Sequence, residues 1–189
     1  MRIGRSFIYI ILLVVIILLW EFSASSSNTV RLFISSPSLV IDYFYANFQK
    51  LLIDTWTTFY QATVGLLFAS VFSFLTMIWC FYNKKLLKFI LPIMIISQVI
   101  PLITLAPLFI IIFGTGGTAK ILMAALLCYF PIFINFSNGV KLISKNVDEL
   151  FLVYNASIAQ RIRYAYFPLA LPNIMSGLKI AATLAVIGS

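Results

Sequence analysis

Long stretches without charge constrain this chain most. Residues 55–83 are 29 positions and residues 89–119 are 31 positions without an Asp, Glu, Lys or Arg. About 20 apolar residues are enough for a helix to cross the hydrocarbon core of a membrane. Because lipid cannot bond to backbone polar groups, such segments must satisfy their own N–H and C=O groups as helices. The sequence predicts an all-α, polytopic membrane helical bundle with about five transmembrane helices.

The composition excludes several classes of function. The chain is 62% hydrophobic and 10% charged, and it has no histidine. Proton-coupled carriers usually place acids or histidines at membrane depth, and enzymes need such groups for acid–base, triad or metal chemistry. We therefore expect no enzymatic activity, no catalytic residue, no metal site and no cofactor bound by this chain. The 13 Lys and Arg against 5 Asp and Glu indicate membrane topology rather than a nucleic-acid partner.

The apolar runs divide the chain into spans and connections. We expect one transmembrane domain, 1–189, with spans at about 7–22, 56–82, 89–113, 121–140 and 169–189. The linker 23–55 is expected to be periplasmic and to contain an amphipathic helix at the membrane surface, with Pro37 in its first turn. The connection 141–168 is the other extended polar segment.

Two of the apolar runs allow more than one interpretation. The first, with Arg2 and Arg5 before it, has the shape of a secretory signal peptide, but it ends in Trp20 and Glu21, which favours an uncleaved span.

The third run contains three prolines and is either one bent span or a span joined to a broken segment. Broken backbone at membrane depth is tolerated where protein or a water-filled cavity covers it, so this run is a candidate pathway lining, with a lipid-facing proline kink as the alternative. The possible lining residues are Gln98, Pro101, Thr104, Pro107 and, in the fourth span, Asn135.

The distribution of basic residues predicts the orientation of the chain. With a cytoplasmic N-terminus, nine Lys and Arg fall on the inner side and three on the outer side, as the positive-inside rule requires. The inner set is Arg2, Arg5, Lys84, Lys85, Lys88, Lys141, Lys145, Arg161 and Arg163, and the outer set is Arg31, Lys50 and Lys120. The connection 141–168 is therefore expected in the cytosol.

This cytosolic connection has the signals of two short helices. Asn155 is suited to a left-handed turn after the first helix. Ser157 and Gln160 have the spacing of a capping box for the second helix, and Pro168 is expected to end it. The two short helices and the turn between them, within residues 141–168, form a helical hairpin. This hairpin either lies on lipid headgroups or inserts its exposed aromatic residues into a cytosolic partner.

A family resemblance favours the partner. Glu149, then Asn155, then Phe167-Pro168 is similar to the "EAA" loop of ABC-importer permeases, which forms the coupling helix that sits in a cleft of the ATPase subunit. Leu150 and Phe151 replace the alanines of that pattern. The segments "PLITLAPLFIIIFGTGGTAKILMAALLCYFPIFINFSNGV" and "LPNIMSGLKIAATLAVIGS" resemble the nitrate/sulfonate/taurine class. By this resemblance the residues that couple to the ATPase are Glu149, Leu150, Phe151, Asn155, Arg161, Arg163 and Pro168.

The resemblance implies a type I importer permease in the inner membrane of a bacterium. Such a subunit works as a homodimer in contact with membrane lipid, with cytosolic ABC ATPases that bind the ATP and an extracytoplasmic solute-binding protein. The implied substrate is a small anion such as a sulfonate, taurine or nitrate, or a vitamin precursor. Members of the class have six spans, so we expect a C-terminally truncated copy. A non-transporting remnant or scaffold and a secondary transporter are the alternatives.

Overall fold

The computed structural model describes residues 2–26, 34–97, 102–143 and 145–189, with side chains from Phe7 onward except at 84, 102, 103, 145, 146 and 148. Within these residues every regular element is a helix. Helices long and apolar enough to cross a membrane are Phe7–Ser25, Phe48–Tyr82, Gly117–Lys141 and Ile158–Gly188. The prediction of an all-α membrane bundle is confirmed. The contacts divide the chain into two units, residues 1–55 and 56–189, which are described separately.

The first unit joins two helices, α1 (Arg2–Ser25) and α2 (Pro37–Ala46). Glu21, near the end of α1, accepts hydrogen bonds from the Ser38 backbone N–H at 3.0 Å and from its hydroxyl at 2.7 Å. The Trp20 Nε1–H donates to the Ser35 carbonyl at 3.2 Å. A carboxylate at a helix N-terminus satisfies free N–H groups and complements the helix dipole. Glu21 therefore joins the end of α1 to the start of α2.

The linker after α1 is more helical than expected. Pro37 lies in the first turn of α2, as predicted, and the Ser36 hydroxyl caps that turn. The helix α3 (Phe48–Tyr82) begins eight residues before the expected start of the second span at 56. Its 35 residues correspond to a length of about 50 Å, so the polar residues Lys50 and Asp54 continue the same helix as the apolar run.

The third expected span, 89–113, corresponds to two shorter helices in the described residues. They are α4 (Lys84–Ser97) and α5 (Leu102–Phe113). Pro92 lies inside α4 and Pro107 inside α5, where each removes one backbone hydrogen-bond donor. Gln98 and Pro101 lie outside the described residues.

The helix α6 (Gly117–Lys141) is the centre of the second unit, because ten of its residues are buried. The chain packs against it through very small residues. A methyl group on Gly65 of α3 would lie 2.7 Å from Ala124 Cβ and 3.0 Å from the Ile121 carbonyl oxygen. In lipid, where apolar attraction between helices is weak, such close approach of small residues is the main source of helix association.

The last span approaches α6 in the same way. It is α9 (Phe167–Gly188), and a methyl group on Gly177 would lie 2.9 Å from Asn135 Cβ. One on Gly188 would lie 2.8 Å from Ala124 Cα. The Cys128 thiol donates to the Ala181 carbonyl at 3.1 Å across the same contact. The backbones of α6 and α9 are therefore in direct contact over most of their length.

The connection into α9 is continuous helix. A single turn, α8 (Ile158–Arg161), leads into a π-helical turn, Ile162–Tyr166, and then directly into α9. The prediction that Pro168 ends a separate second helix is therefore wrong. The Phe167 N–H donates to the Ile162 carbonyl, five residues back. This change of hydrogen-bond register restarts the helix, so Pro168 occupies its first turn, where a missing N–H costs little.

The contact at Gly65 gives a first prediction. We expect Gly65→Ala to destabilise the purified chain in detergent by about 1–3 kcal/mol, because the added methyl would force α3 away from α6. The measurement is thermal unfolding followed by circular dichroism. The double variant Gly65→Ala with Ala124→Gly should recover part of the loss, since it removes the nearer of the two clashing atoms.

Gly116→Ala is the matched control, because no atom lies within 4 Å of the added methyl and the backbone φ is −77°. Gly116 is also the N-cap residue of α6, where alanine has a small cost of its own. An unfolding temperature of Gly65→Ala equal to that of the unmodified chain would show that α3 and α6 do not depend on this close approach.

Candidate functional site

The connection between α6 and α9 is built around one tight turn. The helix α7 (Lys145–Val153) is followed by a turn at residues 154–157, in which Asn155 has φ +49°. The Ala156 N–H donates to the Phe151 carbonyl at 2.9 Å, and the Asn155 N–H donates to the Leu152 carbonyl at 2.9 Å. These are the two hydrogen bonds of a Schellman motif, with Asn155 at the left-handed position. The predicted left-handed conformation of Asn155 is confirmed.

The following residues start the next helix without a gap. The Gln160 N–H donates to the Ser157 hydroxyl at 3.3 Å, and the Ser157 N–H donates to Gln160 Oε1 at 2.8 Å. This reciprocal pair is the capping box that the sequence predicts. One helix end and one helix start therefore share four connecting residues, and each has a capping motif that satisfies part of its backbone groups.

The outer surface of this helix–turn–helix is apolar and exposed. Val153 and Tyr154 have 82% and 77% of their surface accessible, and Leu150 and Leu152 are also exposed. Glu149 is exposed beside them. Phe151 is half-buried, because it lies with Ala156 in a small groove beneath the turn. Several large apolar side chains in water at a polar connection are typical of an interaction surface.

The two arginines of the second helix have different surroundings. The Arg161 Nε–H donates to the Ala156 carbonyl at 3.2 Å, so its guanidinium stabilises the turn. The Arg163 guanidinium lies over the Tyr164 ring, 5.6 Å from its centroid, and is exposed. Arg161 therefore belongs to the turn and the bundle behind it, and Arg163 belongs to the outer surface.

Aromatic rings connect the π-helical turn to the membrane helices. The Tyr166 ring stacks on Phe81 of α3 with centroids 4.8 Å apart and planes 10° apart. The Phe167 ring lies 6.0 Å from Phe74, and Phe74 lies edge-on to Phe136 of α6 at 5.4 Å. Aromatic pairs at these separations add to the free energy of burial. The end of the hairpin therefore packs against α3, and Phe74 of α3 in turn contacts α6.

Three of the five candidate pathway residues lie in the described part of the chain. Thr104 and Pro107 are exposed on α5. Asn135 is half-buried between α6 and α9, and its Nδ2 donates to the Pro131 carbonyl of its own helix at 2.8 Å. The cavity between α3, α5 and α6 has about 490 Å³ and is lined by other residues, half of them aromatic, such as Phe72, Phe109 and Tyr129. Gln98 and Pro101 are outside the described residues.

Several residues near the hairpin were not singled out from the sequence. Lys88, Lys141 and Arg161 line one cavity together with Phe81 and Tyr166. The positive-inside count includes all three cations, but it does not show that they meet.

Deeper in the bundle, Gln61, Ser73 and Ser137 are buried, and Gln61 Oε1 and both serine hydroxyls have no hydrogen-bond partner among the described residues.

No group of three or more His, Cys, Asp or Glu side chains in the described residues could hold a metal ion.

Comparison with known proteins agrees with this architecture. The family model described as "Binding-protein-dependent transport system inner membrane component" matches residues 65–189. This match includes α6, the hairpin with its π-helical turn, and α9.

Three relatives show the range of the family. The formylaminopyrimidine transport permease protein ThiX of Halalkalibacterium halodurans is 30% identical over 174 residues, covering 92% of this chain and 70% of that protein. The riboflavin transport system permease protein RibX of Chloroflexus aurantiacus is 30% identical over 182 residues, with coverages of 93% and 68%. A protein of Bacillus subtilis named as an aliphatic sulfonates transport permease, SsuC, is 30% identical over 129 residues, with coverages of 68% and 47%.

A family model that covers both the hairpin and its membrane helices, together with relatives that align over most of the chain, determines the family. This chain belongs to the ABC transporter permeases described as binding-protein-dependent transport system inner membrane components, and it is a multi-pass protein of a bacterial inner membrane.

Proposed function

We propose that this chain is the membrane-spanning permease subunit of an ATP-driven importer, and that the hairpin from α7 to the π-helical turn is its contact with a cytosolic ATPase. The observation that carries the proposal is an exposed apolar hairpin that is capped at its turn and joined by continuous helix to the membrane span α9. A surface that only lay on lipid would not need this direct connection to a membrane span.

The surface chemistry of the hairpin supports a protein partner. Val153 and Tyr154 project from the turn, and Glu149 and Arg163 provide charges on its exposed surface. Large apolar or aromatic residues with charged residues around them are the usual anchors of protein interfaces. The proposed cytosolic side is supported by the cavity that Lys88, Lys141 and Arg161 share, because it brings basic residues from three separate helices to one end of the bundle.

The packing suggests how movement of an ATPase would reach the membrane. A displacement of the turn passes through the π-helical turn to Tyr166 and Phe167, which lie against Phe81 and Phe74 of α3. The pathway would then open between two copies of the chain as a homodimer, with Gln98, Pro101, Thr104, Pro107 and Asn135 as the proposed lining. Such a change requires that ATP-bound and ATP-free ATPases make different contacts with the hairpin.

The relatives suggest the class of substrate. ThiX and RibX, which align over 92% and 93% of this chain, are named for formylaminopyrimidine and riboflavin. The relative named for aliphatic sulfonates aligns over 68%. We therefore propose a nitrogen-heterocyclic vitamin or vitamin precursor as the substrate, delivered by an extracytoplasmic binding protein. An organosulfonate is the second candidate.

The ATPase contact can be tested by reversing one charge. With a cognate ABC ATPase co-expressed, we expect Glu149→Arg to lower ATP-dependent uptake and ATPase recovery by at least about tenfold, the effect of losing roughly 1.4 kcal/mol at an interface. Uptake into proteoliposomes and pull-down through a tag on the permease are the measurements.

Lys120→Glu is the matched control, an exposed charge reversal at the other end of α6. If Glu149→Arg retains the ATPase and full uptake, or if uptake follows an ion gradient without ATP, the proposal fails.

The geometry of the turn gives a separate prediction. Asn155→Gly should preserve ATPase recovery, since glycine adopts φ +49° without strain. Asn155→Val should lower it, because a β-branched residue in the left-handed region costs about 1–2 kcal/mol. Equal recovery for the Gly and Val variants would mean that the left-handed turn is not required for docking.

The substrate class is tested by competition. Proteoliposomes with the complete importer are given a radiolabelled pyrimidine vitamin precursor, with riboflavin, taurine or nitrate as unlabelled competitors. We expect heterocyclic competitors to reduce uptake and the anions to leave it unchanged. Uptake of radiolabelled taurine, with no uptake of the labelled pyrimidine, would assign the importer to sulfonates.

A further inference from the structure

The cavity that contains the three cations is distinct from the exposed apolar surface of the hairpin. It has a volume of about 490 Å³ and lies between the ends of α3 and α6, the start of α4, and the second helix of the hairpin. This volume is within the range of about 300–1,000 Å³ that is usual for sites of small molecules. The described lining residues are Cys80, Phe81, Leu87, Lys88, Leu91, Val140, Lys141, Ile158, Arg161 and Tyr166.

The charged side chains that line this cavity are all cationic, which favours an anionic ligand. Lys88 comes from α4, Lys141 from the last turn of α6, and Arg161 from α8, and no acidic residue is among the described lining residues. Lys88 and Lys141 are exposed and Arg161 is half-buried, and an anion held between cationic groups is favoured by their charge. Arg161 is also held in place, because its Nε–H is bonded to the Ala156 carbonyl at 3.2 Å. A guanidinium has five N–H donors, and this bond uses one of them.

The π-helical turn brings Arg161 and Tyr166 to the same cavity. In a regular α-helix, residues five positions apart point in directions that differ by about 140°. The five-residue hydrogen bond from the Phe167 N–H to the Ile162 carbonyl widens this turn. Tyr166 therefore lies against Phe81 on the cavity wall while Arg161 lines the same space.

The remaining wall is apolar. Leu87 and Leu91 of α4, Val140 of α6 and Ile158 of the hairpin face the cavity along with Phe81. A free phosphate ion is strongly hydrated and gains nothing from such a wall, whereas a phosphate diester with hydrocarbon attached satisfies both the cations and the apolar side chains. Basic pockets between membrane helices on the cytoplasmic side bind anionic lipid headgroups in this way.

We propose that this cavity binds the phosphate group of an anionic phospholipid of the inner leaflet, with its glycerol and first acyl carbons against the apolar wall. The lipid would link α3, α4 and α6 to the hairpin at a point separate from the ATPase contact. The inference rests on the cytosolic side assigned under the proposed function, but it requires neither an ATPase nor a transported substrate.

Thermal unfolding of the full chain, purified in a zwitterionic detergent, tests this site. Dioctanoyl phosphatidylglycerol should raise the unfolding temperature, whereas dioctanoyl phosphatidylcholine and inorganic phosphate at the same concentration should not. Lys88→Gln with Lys141→Gln should weaken the apparent affinity for phosphatidylglycerol by about tenfold or more. The charge-retaining pair Lys88→Arg with Lys141→Arg should keep it. Native mass spectrometry should show one retained phosphatidylglycerol per chain, lost in the Gln pair.

The pair Lys85→Gln with Lys120→Gln is the charge-matched control, since both side chains are exposed and neither lines the cavity. An equal loss of lipid affinity in this control would show diffuse attraction to the basic chain and overturn the proposal. An equal rise in unfolding temperature with inorganic phosphate would assign the cavity to a free anion instead. No response to phosphatidylglycerol would also overturn it, and none of these results bears on the ATPase contact.

Discussion

The membrane-embedded unit of this protein depends on the close approach of α3 and α9 to α6. Gly65, Gly177 and Gly188 lie where a single methyl group would clash with α6. In a lipid environment the attraction between helices comes largely from such short-range packing, since lipid chains compete equally for apolar side chains. The helices can therefore shift along one another only within narrow limits, and a force applied at one end of the bundle is transmitted as movement of whole helices.

The hairpin makes use of this rigidity. Its turn combines a Schellman motif and a capping box in four connecting residues, so the turn itself has little freedom to absorb a displacement. The π-helical turn then joins it to α9, and the Phe81–Tyr166 and Phe74–Phe167 contacts tie it to α3. A partner that moves the exposed surface of α7 would thus act on two membrane helices at once.

The turn could be predicted from the sequence because its conformation depends on neighbouring residues. The end predicted at Pro168 and the start predicted for α3 were wrong. Asn155 and the Ser157/Gln160 pair carry their own conformational preferences, and the structure shows those preferences realised. Pro168 was misjudged because the cost of a proline depends on the hydrogen-bond register around it, and a π-helical turn shifts that register. The early start of α3 was missed because Lys50 and Asp54 indicate a water-exposed connection but do not stop a helix.

The candidate site divides in the same way. Glu149 and its neighbours could be proposed from the sequence, because the signal is their pattern along the chain. The meeting of Lys88, Lys141 and Arg161 was not, because 53 residues separate the first of them from the second and only the packing of α4 on α6 brings them together. A count of charges per connection indicates the side of the membrane, but it contains no information about which charges are neighbours.

The π-helical turn also sets the angle by which the hairpin is rotated about the axis of α9. Each residue in an α-helix advances the direction of its side chain by about 100°, so the one extra residue in this turn determines how the hairpin is rotated about the axis of α9. With one residue fewer between Arg161 and Tyr166, the exposed surface of α7 would face a different direction while every membrane contact of α9 stayed in place. The orientation of the hairpin about the axis of α9 thus depends on the number of residues in the π-helical turn rather than on their identity. The same number sets the direction from which a partner would approach.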